Sequence, residues 1–364
     1  MHKIRILKLK EKLKQEKADA FFVSDLKDIF YLTGFTGSNG LLLITANDKA
    51  HDIFFTDPRY DEQSEKEVCP EVKCKIVKGN IYSEFGKKLS KLSKIKKIGV
   101  QASHLSYQIY KSLSDDAKSK DFVPLNNIMS LFRIKKDQEE IKKIRQAIKI
   151  SEQALIETIP MIKKEKITEA EIACLLEYKM KMLGADDIAF HTIVAGGNRS
   201  AMPHARASRE TFETGCPIVI DFGCVVDGYN SDLTRTFFLH RITDRFRQDY
   251  LKLKQTQELI FDLISPGIKI KDLDLKARKY LAKDGLDKYF THSLGHGVGI
   301  DVHENPTVYS KNETLLEENM IFTIEPGIYF KDIGGMRIED MVLVTKDGRE
   351  VLSSLGKEVE DIIL

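Results

Sequence analysis

Two rhythms of apolar and polar positions run through the first third of the chain. Apolar runs of strand length sit inside DAFFVSD (19–25), GLLLITAN (40–47), HDIFFTD (51–57) and KKIGVQ (96–101). They predict buried strands, with a turn at 46–48 between the second and third. Around 81–94 and 103–118 the apolar positions recur at helical spacing instead. Strands mixed with helices predict an α/β N-terminal domain over residues 1–125. Its opening residues, MHKIRILKLKEKLKQEK, set Ile4, Leu7 and Leu13 on one face of a short helix whose lysines are solvated. The run KLSKLSKIKK (88–97) reads as a solvated helix face, and TGFTGSNG (33–40) as a turn between a helix and a strand.

Composition shifts over 121–140, which is expected to hold the junction to a second domain at 126–364. There Asp137 with Glu140, and Thr168 with Glu171, have the spacing of capping boxes. The helices they start carry Ile141, Ile144, Ile148, Ala154 and Leu155, then Ile172, Leu175, Leu176, Met180 and Leu183, with Gly184 as the stop. Two more helices fit 244–264 and 271–284. Between the helices lie hairpins. PIVIDFGCVV and YNSDLTRTFFL flank Asp227 and Gly228, a strong two-residue turn. That turn pairs 226 with 229 and 221 with 234. Asp221 and Asp232 then share one face as diagonal neighbours, about 7–8 Å apart at the backbone. NMIFTIEPGIYF and GMRIEDMVLVT form a second hairpin, turned at 332–335, with Glu325 nearly opposite Glu339. Both hairpins follow helical sequence, and both put a carboxylate two residues before a glycine, in IDFG and IEPG. The pattern reads as pseudo-duplicated helix–hairpin halves of an α+β domain, closing around a shared centre.

Size and charge narrow the class. The 364 residues allow two domains. Lys+Arg 57 against Asp+Glu 55 leaves no basic excess for nucleic acid. No apolar run approaches the ~20 residues of a membrane span, and the N-terminus lacks the apolar stretch of a signal peptide. Neither nucleic acid nor membrane is therefore expected as a partner. The cysteines, Cys69, Cys74, Cys174, Cys216 and Cys224, are odd in number and form no CxxC pair. That argues against a disulfide framework or zinc ribbon and for a reducing, cytoplasmic setting. Cys224 reads as a small buried hydrophobe.

The chemistry rests on Asp221, Asp232, His296, Glu325 and Glu339, in VIDFG, NSDLTRTF, SLGHGVG, TIEPGIY and RIED. Ionised carboxylates gathered on one buried face repel; some take up protons, or the face does not form. Two divalent cations ~3.5–4 Å apart would cancel that charge and bridge a hydroxide that attacks a carbonyl. Oxygen ligands with a single imidazole favour Mn2+ or Co2+, with Zn2+ and Fe2+ as alternatives. Any one of the acids alone reads as a surface strand residue or turn cap; the group in apolar strand contexts does not. Gly295, Gly297 and Gly299 disfavour a helix around His292 and His296. That pair reads as strand or loop with one ligand and one residue behind it. His303 in DVHENP and His204 in MPHA read equally as structural or catalytic. No G-x-S-x-G elbow and no phosphate loop compete.

Asp, a second Asp after ten residues, then His, Glu and Glu in these contexts resemble the metallopeptidases of the pita-bread fold, and most specifically over 186–345. YLTGFTGSNG, FFTDPRYDEQ and the junction LFRIKKDQEE resemble the smaller bacterial Xaa-Pro peptidases, so the likeness covers the whole chain. The resemblance implies that Asp221 binds one metal through both oxygens and that Asp232 and Glu339 bridge two metals. It implies that His296 and Glu325 complete the other metal's shell. His204, His292 and His303 match substrate-binding and charge-stabilising histidines, Tyr329 a site tyrosine, and Arg337 an arginine behind the ligands. Glu325 is the candidate proton shuttle. The implied reaction cleaves the bond between an N-terminal residue and proline, a tertiary amide with no N–H. The substrate would be a proline-containing peptide and the enzyme a homodimer. Xaa-Pro aminopeptidase and Xaa-Pro dipeptidase (prolidase) both fit. A creatinase-like amidinohydrolase works without the metal ligands, and a non-catalytic binding module would have lost them; the intact five argue against both.

Overall fold

A computed structural model describes the chain except residues 48–50, 126 and 165. It forms two compact units, Met1–Phe132 and Arg133–Leu364.

The first unit contains β1 (Ala20–Val23), β2 (Leu41–Thr45), β3 (Asp52–Thr56), β4 (Val72–Ile76), β5 (Lys97–Val100) and β6 (Asp121–Pro124). They form one mixed sheet in the order β4-β3-β2-β1-β5-β6. Central β1 is AFFV, buried throughout. β4 and β6 had no sequence signal because Lys73, Lys75, Asp121 and Pro124 interrupt their apolar runs. Both are sheet edges, where such residues belong. Phe85 packs its ring 4.5 Å from Phe22 and 5.2 Å from Phe55 at the centre of this core.

The helices of this unit are α1 (His2–Gln15), α2 (Leu26–Thr33), α3 (Asp61–Glu67), α4 (Ile81–Lys91) and α5 (Tyr107–Asp116), and α6 (Ile128–Arg133) reaches its end. Asp25, Asn80 and Ser106 cap α2, α4 and α5 through their side chains. The caps trim the expected 103–118 helix to α5. The Lys run is helical only to Lys91, and Lys97 already opens β5. Residues 34–40 connect α2 to β2, with Gly34 at φ 90° ending the helix. Of the turn expected at 46–48, Asp48 lies outside the described residues. α1 corrects the sequence reading: it buries Ile6, Leu9 and Leu13, while Ile4 and Leu7 are exposed. Charged partners decide the face. Lys10 pairs with Asp52 at 2.8 Å, and Arg5 stacks 3.9 Å over the Tyr31 ring.

The second unit begins with α7 (Gln138–Ile162) and α8 (Glu169–Met182), started by the two expected capping boxes. Then come β7 (Asp187–Ile188), β8 (Ile193–Gly196), β9 (Pro217–Phe222), β10 (Cys224–Val226), β11 (Tyr229–Asn230) and β12 (Leu233–Phe238). A second helix pair, α9 (Asp244–Phe261) and α10 (Ile270–Leu281), precedes β13 (Gly295–Gly297), β14 (Glu304–Val308), β15 (Ile321–Ile324), β16 (Gly327–Phe330), β17 (Gly334–Arg337), β18 (Asp340–Thr345) and β19 (Gly348–Val351). The chain closes on α11 (Val359–Ile362).

The first hairpin has the expected register: Val226 pairs with Tyr229, and Asp221 with Thr234. Asp227 and Gly228 both have positive φ, 48° and 79°, as a two-residue turn of this hand requires. The hairpin nevertheless changes sheets. β9 and β12 join β8, while β10 and β11 join β7. The seam lies at Gly223, where a Cβ would stand 2.0 Å from the Ser231 carbonyl oxygen, so the strands meet there only over glycine.

The second hairpin pairs Ile324 with Asp340 and Gly327 with Arg337, which sets Glu325 opposite Glu339. Its turn is 331–333, not 332–335, because Gly334 and Gly335 already belong to β17. It too is split, β15 and β18 lying in a five-stranded sheet and β16 and β17 in a ribbon of their own.

Candidate metal centre

The two hairpins meet edge to edge. The Glu339 amide donates to the Thr234 carbonyl at 3.1 Å, and the Arg337 amide donates to Thr236 Oγ1 at 3.0 Å. Asp232, His296 and Glu339, all buried, each offer a ligand atom within 4.8 Å of the others'. Asp232 Oδ2 and Glu325 Oε1 both lie 3.5 Å from His296 Nε2. His296 Nδ1 is 3.1 Å from the Gly297 carbonyl. The ring proton therefore sits on Nδ1, and the Nε2 lone pair faces the carboxylates. Burial lowers the His296 pKa, against the pull of the Gly297 carbonyl, so the ring is held in the neutral, metal-binding form. Thr323 Oγ1 accepts from the His296 amide at 3.1 Å and lies 3.4 Å from Glu325 Oε1. This close passage needs Gly295, where a Cβ would stand 1.9 Å from the Thr323 carbonyl oxygen.

Arg337 organises the other side. Its Nη2 donates to Asp221 Oδ2 at 2.6 Å, its Nη1 to the Tyr329 hydroxyl at 2.7 Å, and its Nε to Thr234 Oγ1 at 3.1 Å. Thr234 Oγ1 passes its own proton to Glu339 Oε2 at 2.6 Å. Burial opposes the guanidinium charge, but Tyr329, Asp221, Glu339 and Glu325 hold its pKa well above the usual value. Tyr329 is pushed up to about 12, by burial and against Arg337. It keeps its proton, which points at His292 Nε2, 3.0 Å away. His292 Nδ1 donates to the Ser293 carbonyl at 2.8 Å and stands 3.8 Å from Glu325 Oε2.

The negative charge is not balanced by these contacts. Burial raises the Asp232 pKa well above the carboxylate range, and Glu339, Asp221 and Glu325 push the same way. Glu339 is raised by burial, then by Glu325 and Asp221. Glu325 is raised by burial against His292 and Arg337. Asp221 Oδ1 is buried with no hydrogen-bond partner among the described residues. A divalent cation fits this set: an imidazole lone pair, desolvated carboxylates that lack a counter-charge, and an orphan carboxylate oxygen.

The outer residues gather around the same place. The His303 ring lies 4.0 Å from that of His296, and burial, then His296, lowers its pKa to about 4. His204 is exposed. The carbonyl before it, on Pro203, accepts from Arg337 Nη1 at 3.4 Å, and its charge acts on both His292 and His303. Sequence reasoning missed Thr234 and Thr323. Each lies two residues from a carboxylate, Asp232 or Glu325, on the same strand face, so the period-2 rule would have found them. Arg235 and Asp340 follow Thr234 and Glu339 and point the opposite way. They form a buried pair at 2.6 Å behind the centre, and Arg235 Nη1 also donates to the Glu339 carbonyl at 2.8 Å.

An imidazole and four carboxylates at the junction of two hairpin halves define a metallohydrolase with the pita-bread fold. The chain belongs to metallopeptidase family M24, which residues 142–346 match; residues 5–135 match the creatinase/prolidase N-terminal domain. It is 36% identical to the Xaa-Pro dipeptidase of Pyrococcus horikoshii over 98% of both chains. It is similar to the solved Xaa-Pro dipeptidase from Bacillus anthracis, with 33% identity, a TM-score of 0.95 and 100% of both chains covered. It is also similar to the X-Pro aminopeptidase from Thermotoga maritima, with 36% identity, a TM-score of 0.88, and 96% of this chain and 98% of that one covered.

Proposed function

We propose that this chain is a two-metal exopeptidase that cleaves the N-terminal Xaa-Pro bond, with Xaa-Pro dipeptides as its preferred substrates. The observation that carries the reading is the group of desolvated, mutually repelling carboxylates around the His296 Nε2 lone pair. The Pyrococcus and Bacillus relatives, both Xaa-Pro dipeptidases, support the substrate class. Asp221, Asp232, His296, Glu325 and Glu339 would hold the ions, Mn2+ or Co2+ by the oxygen-rich donor set. Bound there, the ions would polarise the scissile carbonyl and make water a nucleophile near neutral pH.

The chain's own groups supply the rest. Glu325, which stands 3.5 Å from His296 Nε2 and 3.8 Å from His292 Nδ1, would take a proton from the attacking water and return it to the proline nitrogen, which leaves as a secondary amine. His292, His303 and His204 ring the place where the substrate carbonyl and the proline ring would lie. His303, its pKa lowered to about 4, is neutral and would offer an N–H without adding charge, while both nitrogens of His292 are engaged by Ser293 and Tyr329. Arg337 and Tyr329 orient His292 through a directed chain of hydrogen bonds. A reducing cytoplasm, consistent with five free cysteines, and a homodimer belong to the same reading.

Substrate length is tested by comparing Xaa-Pro with Xaa-Pro-Yaa peptides at equal Mn2+ loading. The dipeptide is expected to give the higher kcat/KM; the reverse order would make the enzyme an aminopeptidase. His303→Ala is expected to bind Mn2+ as the parent does and to lose ~10²–10⁴-fold in kcat, the usual worth of acid–base or electrostatic help. Full activity in that variant would reduce His303 to a packing residue.

A further inference from the structure

The second hairpin opens where it carries its two glutamates. Its ladder stops at the pair Ile324 and Asp340 and resumes at Gly327 and Arg337. The register between them sets Pro326 against Ile338. The Ile338 amide donates to the Pro326 carbonyl at 3.3 Å, but proline has no N–H to return, so the Ile338 carbonyl loses its ladder donor. The amides of Glu325 and Glu339 turn outward, to Leu294 O at 2.8 Å and Thr234 O at 3.1 Å.

Gln257, on α9 and fully buried, fills the gap. Its side-chain amide donates to the Ile338 carbonyl at 3.2 Å and to the Ile324 carbonyl at 3.0 Å. These are the residues just before Glu339 and Glu325, one on each strand. The orientation of the amide is fixed, because Gln257 Oε1 accepts from Lys357 Nζ at 2.7 Å. One side chain thus replaces the missing rung at the point where the two glutamates face each other.

We propose that Gln257 is a positioning residue of the metal centre, a surrogate cross-strand rung that sets the separation of Glu325 and Glu339. The proposal rests on the reading that these glutamates hold metal. Residues that orient metal ligands typically contribute ~10–100-fold to metal affinity.

The test is calorimetric titration of metal-free protein with Mn2+, comparing the parent, Gln257→Met and Leu253→Ala. Leu253 is as buried as Gln257 and sits four residues earlier on the same helix, so its truncation loosens the helix without touching the rung. Gln257→Met is expected to bind Mn2+ ~10–100-fold more weakly, and folded Leu253→Ala to bind as the parent does. Should Gln257→Met fail to fold, Gln257→Glu keeps the acceptor for Lys357, removes both donors and is expected to show the same weakening. Parent-like affinity in the Gln257 variant, or equal weakening in Leu253→Ala, would overturn this proposal alone. A parent that binds no Mn2+ would overturn the metal reading and this proposal with it.

Discussion

Asp232→Ala is expected to abolish peptide hydrolysis and to remove the stabilisation that Mn2+ gives the parent. Asp232 is 4% exposed, and its Oδ2 lies 3.5 Å from His296 Nε2. A carboxylate placed between the imidazole and Glu339 serves any ion held there. The metal-free protein should respond in the opposite sense. Asp232 and Glu339 have raised pKa values in the folded state, through burial and like charge. The native state therefore binds more protons than the unfolded chain above the ordinary carboxylate range. Native stability then falls as pH rises through that range towards the raised values. Removing one of these carboxylates relieves the repulsion, so metal-free Asp232→Ala should melt no lower than the metal-free parent near neutral pH. With Mn2+ at ~100 times its Kd the parent gains about 2.7 kcal/mol, and the variant should gain almost none. Melting curves with and without Mn2+, beside a turnover assay, read both effects. A variant that still rose in melting temperature like the parent would sink the assignment.

The second large effect concerns stability. Arg235→Met is expected to cost about 3–5 kcal/mol, the usual loss when one partner of a buried ion pair is removed. Arg235 and Asp340 are each 1% exposed, and the guanidinium also donates to the carbonyls of Thr234 and Glu339. Burial alone would raise the Asp340 pKa. Arg235 and Lys357 outweigh it and bring it down to about 2. A carboxylate depressed in this way stabilises the fold above its unfolded pKa of about 3.9. That contribution is lost as pH falls through about 2. The variant should therefore lose the acid-side part of the parent's stability profile as well as overall stability. Denaturant titrations at neutral pH and at about pH 3 would show both. Arg235→Met/Asp340→Leu should recover part of the loss, since it takes away the carboxylate left without its guanidinium, although Lys357 then gives up its own 2.7 Å pairing with Asp340. A variant as stable as the parent at both pH values would mean that the pair contributes nothing to the fold.

Much of the centre was legible because hairpin register is arithmetic. Asp227 and Gly228 fixed the first turn, and counting back from it placed Asp221 opposite Thr234. The changes of sheet at Gly223 and around Pro326 were not legible, because hydrophobic alternation reports the face of a strand and not the sheet it joins. Gln257 gave no sign at all: a glutamine in a helix reads as solvated until the carbonyls it meets are known. The face of α1 was misread for a related reason. The pairing of Lys10 with Asp52 draws a charged side chain inward, and a pattern that counts Lys as polar cannot see the partner.

Gly223 and Gly295 add a different kind of constraint. Neither contributes a functional atom, yet a methyl group at either would collide with a neighbouring carbonyl oxygen, 2.0 Å away at Ser231 and 1.9 Å away at Thr323. The main chain itself forbids every side chain there. Redesign of this site for another metal or another bond thus inherits two fixed positions: the ligands can be exchanged for new chemistry, but the glycines that let them converge cannot.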